Sequence, residues 1–285
     1  MRAALTVAGS DSGGGAGVQA DLKTFAAFGI HGLSAITAAT AQTPAGIADM
    51  HVLPPAIVTA QIAAAADGFP VAAAKTGMLS NGAIVDAVCR AFEALGIRPV
   101  VDPVLASTGG SRLLDRDGIR RMKARLLPLA AVATPNRMEA ERLSGMAVTS
   151  LATAREAARR LLDLGPAAVI VTGGHLDEPA DTVVDVLDDG TGAVEIATPR
   201  VAAGDGRAHG TGCTFSAALT AGLAAGGELA AAAADAQRYV AAAIRRAQRV
   251  GGGGFVLDHT RPQAASAGRR AAGPTAPAPG PESIG

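Results

Sequence analysis

The chain has 285 residues, and its 25 basic and 25 acidic side chains give it no formal net charge at pH 7. It carries no basic stripe interleaved with aromatic residues, which excludes nucleic acid as an expected partner. No apolar run approaches the roughly 18 residues of a membrane span. The two cysteines, Cys89 and Cys213, lie far apart without metal-ligand spacing. We therefore expect a cytoplasmic protein with reduced cysteines and no membrane contact.

Short apolar runs alternate with longer helical patterns along the chain. Patterns typical of buried strands occupy residues 4–8, 33–39, 71–74, 99–101, 132–134 and 168–172. Helical spacing of apolar residues is found at 16–28, 55–66, 84–95, 116–126, 137–143, 152–164, 213–225 and 229–246. Two further strands, 182–187 and 193–198, flank Asp188-Asp189-Gly190 and predict a hairpin.

This alternation predicts an α/β fold with a central, mostly parallel β-sheet and helices on both of its faces. One domain is expected over residues 1–259. The segment 260–285 is rich in Ala, Pro, Gly, Ser and Arg, cannot bury enough apolar area to offset the entropy of ordering, and is predicted to be disordered. In open α/β sheets ligands bind beyond the carboxyl ends of the strands, so the loops after the strands are the candidate sites.

The first of these loops, residues 9–17, is rich in glycine and directly follows the first strand. Its glycines lack the spacing of a dinucleotide fingerprint, and no second strand ends in an acidic residue at the required distance. The loop instead favours close approach of a small, flat substrate to the backbone. Asp11 and Asp21 are candidates for polar contacts with that substrate, although Asp21 also fits a solvated residue in the following helix.

Two later loops offer groups that suit a heteroaromatic ring. Gln42 presents a donor and an acceptor on one planar amide, which matches the edge of an aminopyrimidine. Lys75-Thr76-Gly77-Met78 ends another strand, where Lys75 could face an anionic group and Met78 offers a soft apolar wall. A plain turn residue and a packed core methionine are the alternative interpretations.

Carboxylates follow two further strands. Asp102 ends one of them, and Glu139 follows the next, where Asn136 and Glu139 also fit a helix capping box. Both emerge at the same edge of the sheet and supply the hard oxygen ligands that nucleotide-bound Mg²⁺ requires. The segment 172–175, Thr-Gly-Gly-His, follows another strand and predicts a further nucleotide contact.

The segment 209–214, His-Gly-Thr-Gly-Cys-Thr, leads into a long helical pattern. Two glycines let backbone amides approach a ligand, and the free N–H groups at a helix N-terminus favour an anion. The same field favours a thiolate at Cys213. We predict a phosphate site here; the alternative is a glycine turn before a packed helix, with Cys213 as a small apolar residue.

Taken together and in this order, these motifs resemble the hydroxymethylpyrimidine/phosphomethylpyrimidine kinases of thiamine biosynthesis, within the ribokinase-like superfamily. The segments that carry the resemblance are GSDSGGGAGVQADLKTF, Ala41-Gln42, KTGM, VDPV, TPNRMEAE, TGGH and HGTGCT. It covers about residues 3–259. It implies a ribokinase-like fold and ATP-dependent phosphorylation of 4-amino-5-hydroxymethyl-2-methylpyrimidine and of its monophosphate.

The resemblance also implies roles for individual residues. Cys213 stands where many sugar kinases of the superfamily carry a base aspartate, and the preceding residues would form an anion hole for the transferring phosphoryl group: Gly210, Thr211 and Gly212. The implied pyrimidine contacts are Gln42, Met78, Asp21, Gly9 and Ala16. The implied Mg²⁺ ligands are Asp102 and Glu139, and the implied ATP contacts are Asn136, Thr172 and His209.

Two positions depart from the family pattern. Thr172 stands where many relatives have lysine, and Ala208 stands where they have threonine. Loss of the lysine is expected to weaken binding of the nucleotide phosphates, although the threonine hydroxyl can still donate a hydrogen bond.

Other functions are left open by these motifs. A pyridoxine or pyridoxal kinase would share the architecture and the anion hole. A catalytically inactive pyrimidine-binding protein is a candidate of a different class, and a dinucleotide oxidoreductase would lack its acidic ribose ligand. A homodimer is expected because dimers are common in the family.

Overall fold

The computed structural model describes residues 1–43, 46–107, 110–176, 181–201, 208–251 and 254–260. The predicted disordered tail, 260–285, therefore lies outside the described residues from 261 onward. Within the described ranges no helix combines the length and apolar character needed to cross a membrane.

Nine strands form the central sheet. Their bounds are β1 (Ala3–Asp11), β2 (His31–Thr43), β3 (Gly46–Val52), β4 (Val71–Thr76), β5 (Val100–Val101), β6 (Val132–Ala133), β7 (Val169–Val171), β8 (Thr182–Asp188) and β9 (Ala193–Pro199). The spatial order is β3-β2-β1-β4-β5-β6-β7-β8-β9. Pairing is parallel from β2 through β7 and antiparallel at both edges, where β8 and β9 form the predicted hairpin.

Helices connect the parallel strands. They are α1 (Gly17–Ala27), α2 (Pro55–Gly68), α3 (Gly82–Leu95), α4 (Arg116–Arg121), α5 (Leu127–Leu129), α6 (Arg137–Ser144), α7 (Leu151–Leu162), α8 (Thr211–Ala224) and α9 (Leu229–Arg245). A π-helical turn, Met122–Leu126, joins α4 to α5. The helix predicted over 116–126 is therefore present and continues into α5.

The sheet is covered on both faces. Leu5 and Val7 of β1 pack in one core with residues of α2, α3, α6 and α7. Ala4, between them, faces α1 and α8 on the other side, and Ile170 of β7 packs with α8 and α9. Because their side chains alternate between two apolar layers, the central strands appear in the sequence as continuous apolar runs. The predicted α/β fold class is confirmed.

The small second sheet has no counterpart in the sequence prediction. It contains β10 (Ala208–His209), β11 (Gln248–Val250) and β12 (Gly254–Val256), with β12 in the middle. His209 pairs in parallel with Val256. The chain that leads into α8 is thereby held by a segment from near the end of the described residues.

Candidate active site

The loops that follow β1, β4, β5, β6 and β7 meet at one edge of the sheet. Backbone hydrogen bonds join neighbours there: Gly77 N–H donates to Val7 O at 2.9 Å, and Asp102 N–H donates to Thr76 O at 3.2 Å. Farther along, Thr172 N–H donates to Pro135 O at 3.0 Å. The structure therefore brings the sequence-predicted loops together, as the parallel topology requires.

Asp11 organises the first loop. Its Oδ1 accepts from Gly13 N–H at 2.8 Å, and its Oδ2 accepts from Gly15 N–H at 3.0 Å and Ala16 N–H at 2.8 Å. Burial alone would raise the pKa of Asp11, but hydrogen bonds from His209 and from these amides hold it below its ordinary value. Asp11 is thus an ionised carboxylate that accepts hydrogen bonds from its own loop.

Gly9 and Met78, two predicted pyrimidine contacts, are neighbours. A Cβ on Gly9 would lie 2.5 Å from Met78 Cε, so only glycine lets the thioether reach this position. Met78 is largely buried against Ala38 and Leu113. Ala16, directly before α1, belongs to the same loop and is 8% exposed.

Gln42 lies within β2 rather than in the loop that was predicted after it, because β2 continues to Thr43. Ser12 holds its backbone: Gln42 N–H donates to Ser12 Oγ at 2.9 Å, and Ser12 Oγ donates to Gln42 O at 3.1 Å. The side-chain amide lies 2.9 Å from His209 Nε2. Gln42 therefore joins the first loop to the segment that precedes α8.

Asp21 has different surroundings from those predicted. It is fully buried, pairs with Lys75 Nζ at 2.7 Å through Oδ1, and accepts from Thr6 Oγ1 at 2.6 Å through Oδ2. Both carboxylate oxygens of Asp21 are bound to buried protein groups. The alternative of a solvated helix residue is therefore wrong, and these contacts do not support a direct contact between Asp21 and the substrate. Burial disfavours the ammonium of Lys75, but the charges of Asp21 and Asp102 raise its pKa above the ordinary value.

No side chain of the described residues caps the N-terminus of α8. Gly210 precedes the helix with φ of 86°, and a Cβ there would collide with the Gly15 carbonyl. By contrast, the first amides of α3 are capped by the Asn81 side chain, which accepts from Ile84 N–H. The uncapped start of α8, beside the first loop, leaves backbone amides available to an anion.

Cys213 lies on the first turn of α8 and is half-buried. Burial raises the pKa of its thiol to about 12, and the nearby charges of Asp102 and Asp21 act in the same direction. Lys75 and a hydrogen bond from Gly17 N–H oppose the rise without cancelling it. The predicted shift toward thiolate is therefore wrong: at neutral pH Cys213 is a thiol.

Asp102 and Glu139 are two buried carboxyls, and the charge of Asp102 acts on Glu139. Burial raises the pKa of Asp102 to about 6. Burial, followed by the charge of Asp102, raises the pKa of Glu139 to about 8. Ser216 Oγ donates to Asp102 Oδ2 at 3.0 Å. In the described residues no group of three or more His, Cys, Asp or Glu side chains is arranged to hold a metal ion.

The nucleotide residues predicted after β6 and β7 are adjacent. Asn136 caps α6 by accepting from Glu139 N–H at 3.1 Å, while Glu139 Oε2 accepts from Asn136 N–H at 2.9 Å, which confirms the capping box. Asn136 and Thr172 form a parallel β-bridge. The structure thus brings these two residues together with the carboxylate at 139.

His209 lies with the predicted pyrimidine residues. Its Nε2 is 2.9 Å from the Gln42 amide and 3.4 Å from Asp11 Oδ2, and its Nδ1 is buried without a hydrogen-bond partner among the described residues. These contacts do not support the predicted nucleotide role.

Two supporting residues, Asp185 and His259, had no signal in the sequence. Asp185 of β8 accepts from Gly173 N–H at 2.7 Å and so holds the loop after β7. Thr214 Oγ1 lies 2.9 Å from His259 Nε2, which ties the start of α8 to the end of the described chain. Each contact depends on the fold, and no sequence motif includes Asp185 or His259.

A family model described as phosphomethylpyrimidine kinase matches residues 11–258. The chain is 46% identical over 256 residues to the thiamine biosynthesis bifunctional protein ThiED of Geobacter sulfurreducens, covering 90% of this chain and 51% of that protein. It therefore spans about half of that relative. It is 43% identical over 259 residues to the hydroxymethylpyrimidine/phosphomethylpyrimidine kinase of Synechococcus elongatus, covering 91% of this chain and 97% of that protein.

Among solved structures, the ADP complex of Bacillus subtilis pyridoxal kinase superposes with a TM-score of 0.83 at 35% identity, covering 91% of this chain and 98% of that chain. A likeness of this extent confirms the predicted ribokinase-like fold.

Proposed function

The chain belongs to the phosphomethylpyrimidine kinase family, and on that premise we propose that it phosphorylates 4-amino-5-hydroxymethyl-2-methylpyrimidine with ATP in thiamine biosynthesis. A second transfer, to the monophosphate, gives the pyrophosphate. The observation that carries the proposal is the contact of Gly210 with Gly15, which sets the uncapped start of α8 against the loop that holds Gly9 and Ala16. A phosphoryl group and a pyrimidine hydroxymethyl group can meet there.

In the reaction the hydroxymethyl oxygen bonds to the γ-phosphorus, the bond from that phosphorus to the bridging oxygen breaks, and ADP leaves with the electron pair. Such transition states are loose, so positioning and charge neutralisation contribute more than proton removal. We assign charge stabilisation to the backbone amides of Thr211, Gly212 and Cys213 at the start of α8. Gln42 and Met78 orient the ring.

Cys213 holds its proton at neutral pH, because its pKa is about 12. We therefore propose that it positions the hydroxymethyl group as a neutral thiol rather than abstracting its proton. The hydroxyl proton is released with the phosphorylated product.

Asp102 and Glu139 fit a divalent cation. Burial raises the pKa of both carboxyls, the charge of Asp102 raises that of Glu139 further, and a positive ion beside them would stabilise their ionised forms. We propose that they hold Mg²⁺ with ATP, directly or through water. When bound, the ion would neutralise charge on the phosphate oxygens. Asn136 and Thr172 lie beside Glu139 and are proposed to contact the nucleotide.

The direct test combines the protein with Mg-ATP and the pyrimidine alcohol and resolves the monophosphate from the pyrophosphate. Both products are expected in sequence, and failure to form either would contradict the proposal. Gln42→Ala should raise KM for the pyrimidine about five- to tenfold while KM for ATP changes less than about twofold, since one lost hydrogen-bonded contact is worth about 1–1.5 kcal/mol. Equal effects on both substrates would remove Gln42 from the pyrimidine site.

A pyridoxal kinase activity is the second candidate, favoured by the likeness to the Bacillus subtilis enzyme. The ratio of kcat/KM for the aminopyrimidine to that for pyridoxal separates the two. A ratio well above one supports the first proposal, and a ratio below one supports the second.

We further propose a cytoplasmic homodimer. The free cysteines Cys89 and Cys213 support a reducing compartment. The dimer rests on the family resemblance alone, and sedimentation equilibrium tests it.

A further inference from the structure

His209 Nε2 has two neighbours with opposite demands. Asp11 Oδ2, at 3.4 Å, belongs to an ionised carboxylate that can only accept a hydrogen bond. The amide end that faces His209 at 2.9 Å is the nitrogen of Gln42, which can only donate. A single ring nitrogen cannot carry a proton for Asp11 and also accept from an amide nitrogen. Either the Gln42 amide or the His209 ring must therefore be rotated so that a different atom of it makes this contact.

The hydrogen bonds of Thr40 indicate that the Gln42 amide is the rotated group. Thr40 Oγ1 lies 2.9 Å from Ser10 O and 3.1 Å from Gln42 Oε1, and its single hydroxyl proton can be donated to only one of these oxygens. Donation to Ser10 O, at the shorter distance, leaves Thr40 Oγ1 to act as an acceptor. The end of the Gln42 amide that lies 3.1 Å from Thr40 Oγ1 must then be the nitrogen. The two ends of a primary amide have the same shape, and their hydrogen-bond partners assign them. With the amide turned, Gln42 donates to Thr40, and its oxygen accepts from the Nε2–H of His209.

The turned amide gives Thr40 Oγ1, Asp11 Oδ2 and His209 Nε2 compatible hydrogen-bond partners. His209 carries its proton on Nε2, within reach of both Gln42 Oε1 and Asp11 Oδ2. The backbone of His209, directly before Gly210, is fixed by its pairing with Val256 in β12. The amide of Gln42 is consequently held at both ends, by His209 and by Thr40, in one of its two orientations.

Because its orientation is fixed, the Gln42 amide presents its oxygen and its nitrogen to a ligand in one fixed arrangement. Gln42 uses one oxygen lone pair on His209 and one N–H on Thr40, which leaves one lone pair and one N–H. An aminopyrimidine edge offers the complement, an amino N–H beside a ring nitrogen. The corresponding 4-oxo ring offers a ring N–H beside a carbonyl, which would demand the opposite orientation of the amide.

We propose that His209 is a positioning residue that selects the aminopyrimidine by fixing the orientation of the Gln42 amide. The proposal rests on the function proposed above and assigns to His209 a part in substrate selection rather than in nucleotide binding. It also couples the pyrimidine site to the anion hole, because His209 immediately precedes Gly210.

The test compares two substrates, the 4-amino alcohol and its 4-oxo analogue, in the wild type and in two variants. The wild type should prefer the amino substrate by about 100-fold or more in kcat/KM, because the wrong edge leaves buried polar groups unpaired. His209→Leu frees the amide and should reduce that preference at least tenfold, with KM for ATP within about twofold of wild type. His209→Gln, which keeps a donor at this position, should retain most of the preference.

A further variant guards against loss of folding. Thr40→Val is nearly isosteric, lies at the other end of the amide and leaves the segment before α8 intact. It should reduce the amino preference in the same way. A single cooperative thermal transition is the control for folding, since loss of the hydrogen bond to Ser10 O lowers the melting temperature without unfolding the protein. If His209→Leu and Thr40→Val both keep the preference, or if His209→Leu raises KM for ATP instead, the positioning role is wrong. If the wild type phosphorylates neither substrate, the proposed function fails, and this inference fails with it.

Discussion

At the scale of single residues, position 210 has two structural requirements that only glycine satisfies. Its φ of 86° is unfavourable for side chains with a Cβ, and that Cβ would collide with the Gly15 carbonyl. Gly210→Ala must therefore move the start of α8 away from the first loop. We expect kcat to fall by about 100-fold or more, the loss found when one such donor is misplaced.

The same helix offers a matched control for Gly210→Ala. Gly226, just beyond the other end of α8, has the same φ of 86°, but a Cβ added there would meet its nearest neighbouring atom, on Arg2, only at 3.9 Å. Gly226→Ala introduces the backbone strain without the collision and should leave kcat unchanged, at a modest cost in stability of about 1 kcal/mol. Equal loss of kcat in the two variants would show that strain in α8, not the contact with Gly15, is responsible.

The thiol at Cys213 gives a second prediction at this scale. Because its pKa is about 12, the rate of alkylation by iodoacetamide should rise tenfold per pH unit from pH 7 to 10 without a plateau. The rate is measured in a Cys89→Ala background so that one thiol reports. Cys213→Ser should keep kcat within about tenfold of wild type, because a loose transition state needs little base catalysis. A plateau near pH 7 would mean that a thiolate forms after all.

Local sequence signals identified some of these residues and missed others. Asn136 and Glu139 are three residues apart, so the capping box lies within one turn of sequence and was predicted correctly. The contact between Gln42 and His209 joins residues separated by 167 positions and depends on the register of two different sheets. The pKa of Cys213 depends likewise on Asp102 and Asp21, which only the fold brings near it.

At the scale of elements, burial explains which strands the sequence predicts. Central strands such as β7 are buried on both faces and appear as apolar runs. β3 has no fully buried residue, and its burial alternates only over residues 49–52, which is too short a pattern to predict a strand. The two-residue β10 and the three-residue β11 and β12 are too short for any pattern. Their pairing is a tertiary property.

Asp185 in β8 supports a prediction about pH. Burial raises its pKa to about 7, against hydrogen bonds from Gly173 and Gln237. A carboxyl whose folded pKa exceeds its unfolded value stabilises the fold when protonated, and that contribution is lost as pH rises from about 4 through about 7. Asp185→Asn keeps an oxygen for Gly173 N–H and has no charge to bury. Its free energy of unfolding should match wild type near pH 4 and exceed it at pH 8 by up to about 4 kcal/mol.

Urea unfolding at the two pH values measures this difference. Asp189→Asn, in the turn of the same hairpin, is the control: hydrogen bonds from Thr191 lower the pKa of that exposed carboxyl, so any pH effect should have the opposite sign. A difference between Asp185→Asn and wild type that is independent of pH would mean that the pKa of the Asp185 carboxyl is not raised in the folded protein.

At the scale of the whole molecule, two distant parts of the chain build one edge of the sheet. The first loop and α8 hold the residues of the proposed pyrimidine pocket and the proposed anion hole, and the segment that ends at residue 260 contacts the start of α8. Within it, Val256 pairs with His209, Leu257 is buried, and His259 contacts Thr214. The site therefore requires residues up to about 260, whereas composition predicts that 261–285 contributes no packed core.

Two truncations test that division of the chain. A protein that ends at residue 260 should keep wild-type kcat/KM and a free energy of unfolding within about 0.5 kcal/mol of wild type, because it loses only the predicted disordered tail. A protein that ends at residue 250 loses β12 and His259, which leaves β10 without its partner strand and frees the start of α8. Its kcat should fall at least 100-fold, since the donors of the anion hole are no longer fixed. Thermal unfolding and steady-state kinetics of both proteins decide the matter: a large loss in the 260-residue protein would place functional residues in the tail, and full activity in the 250-residue protein would show that the small sheet does not position the anion hole.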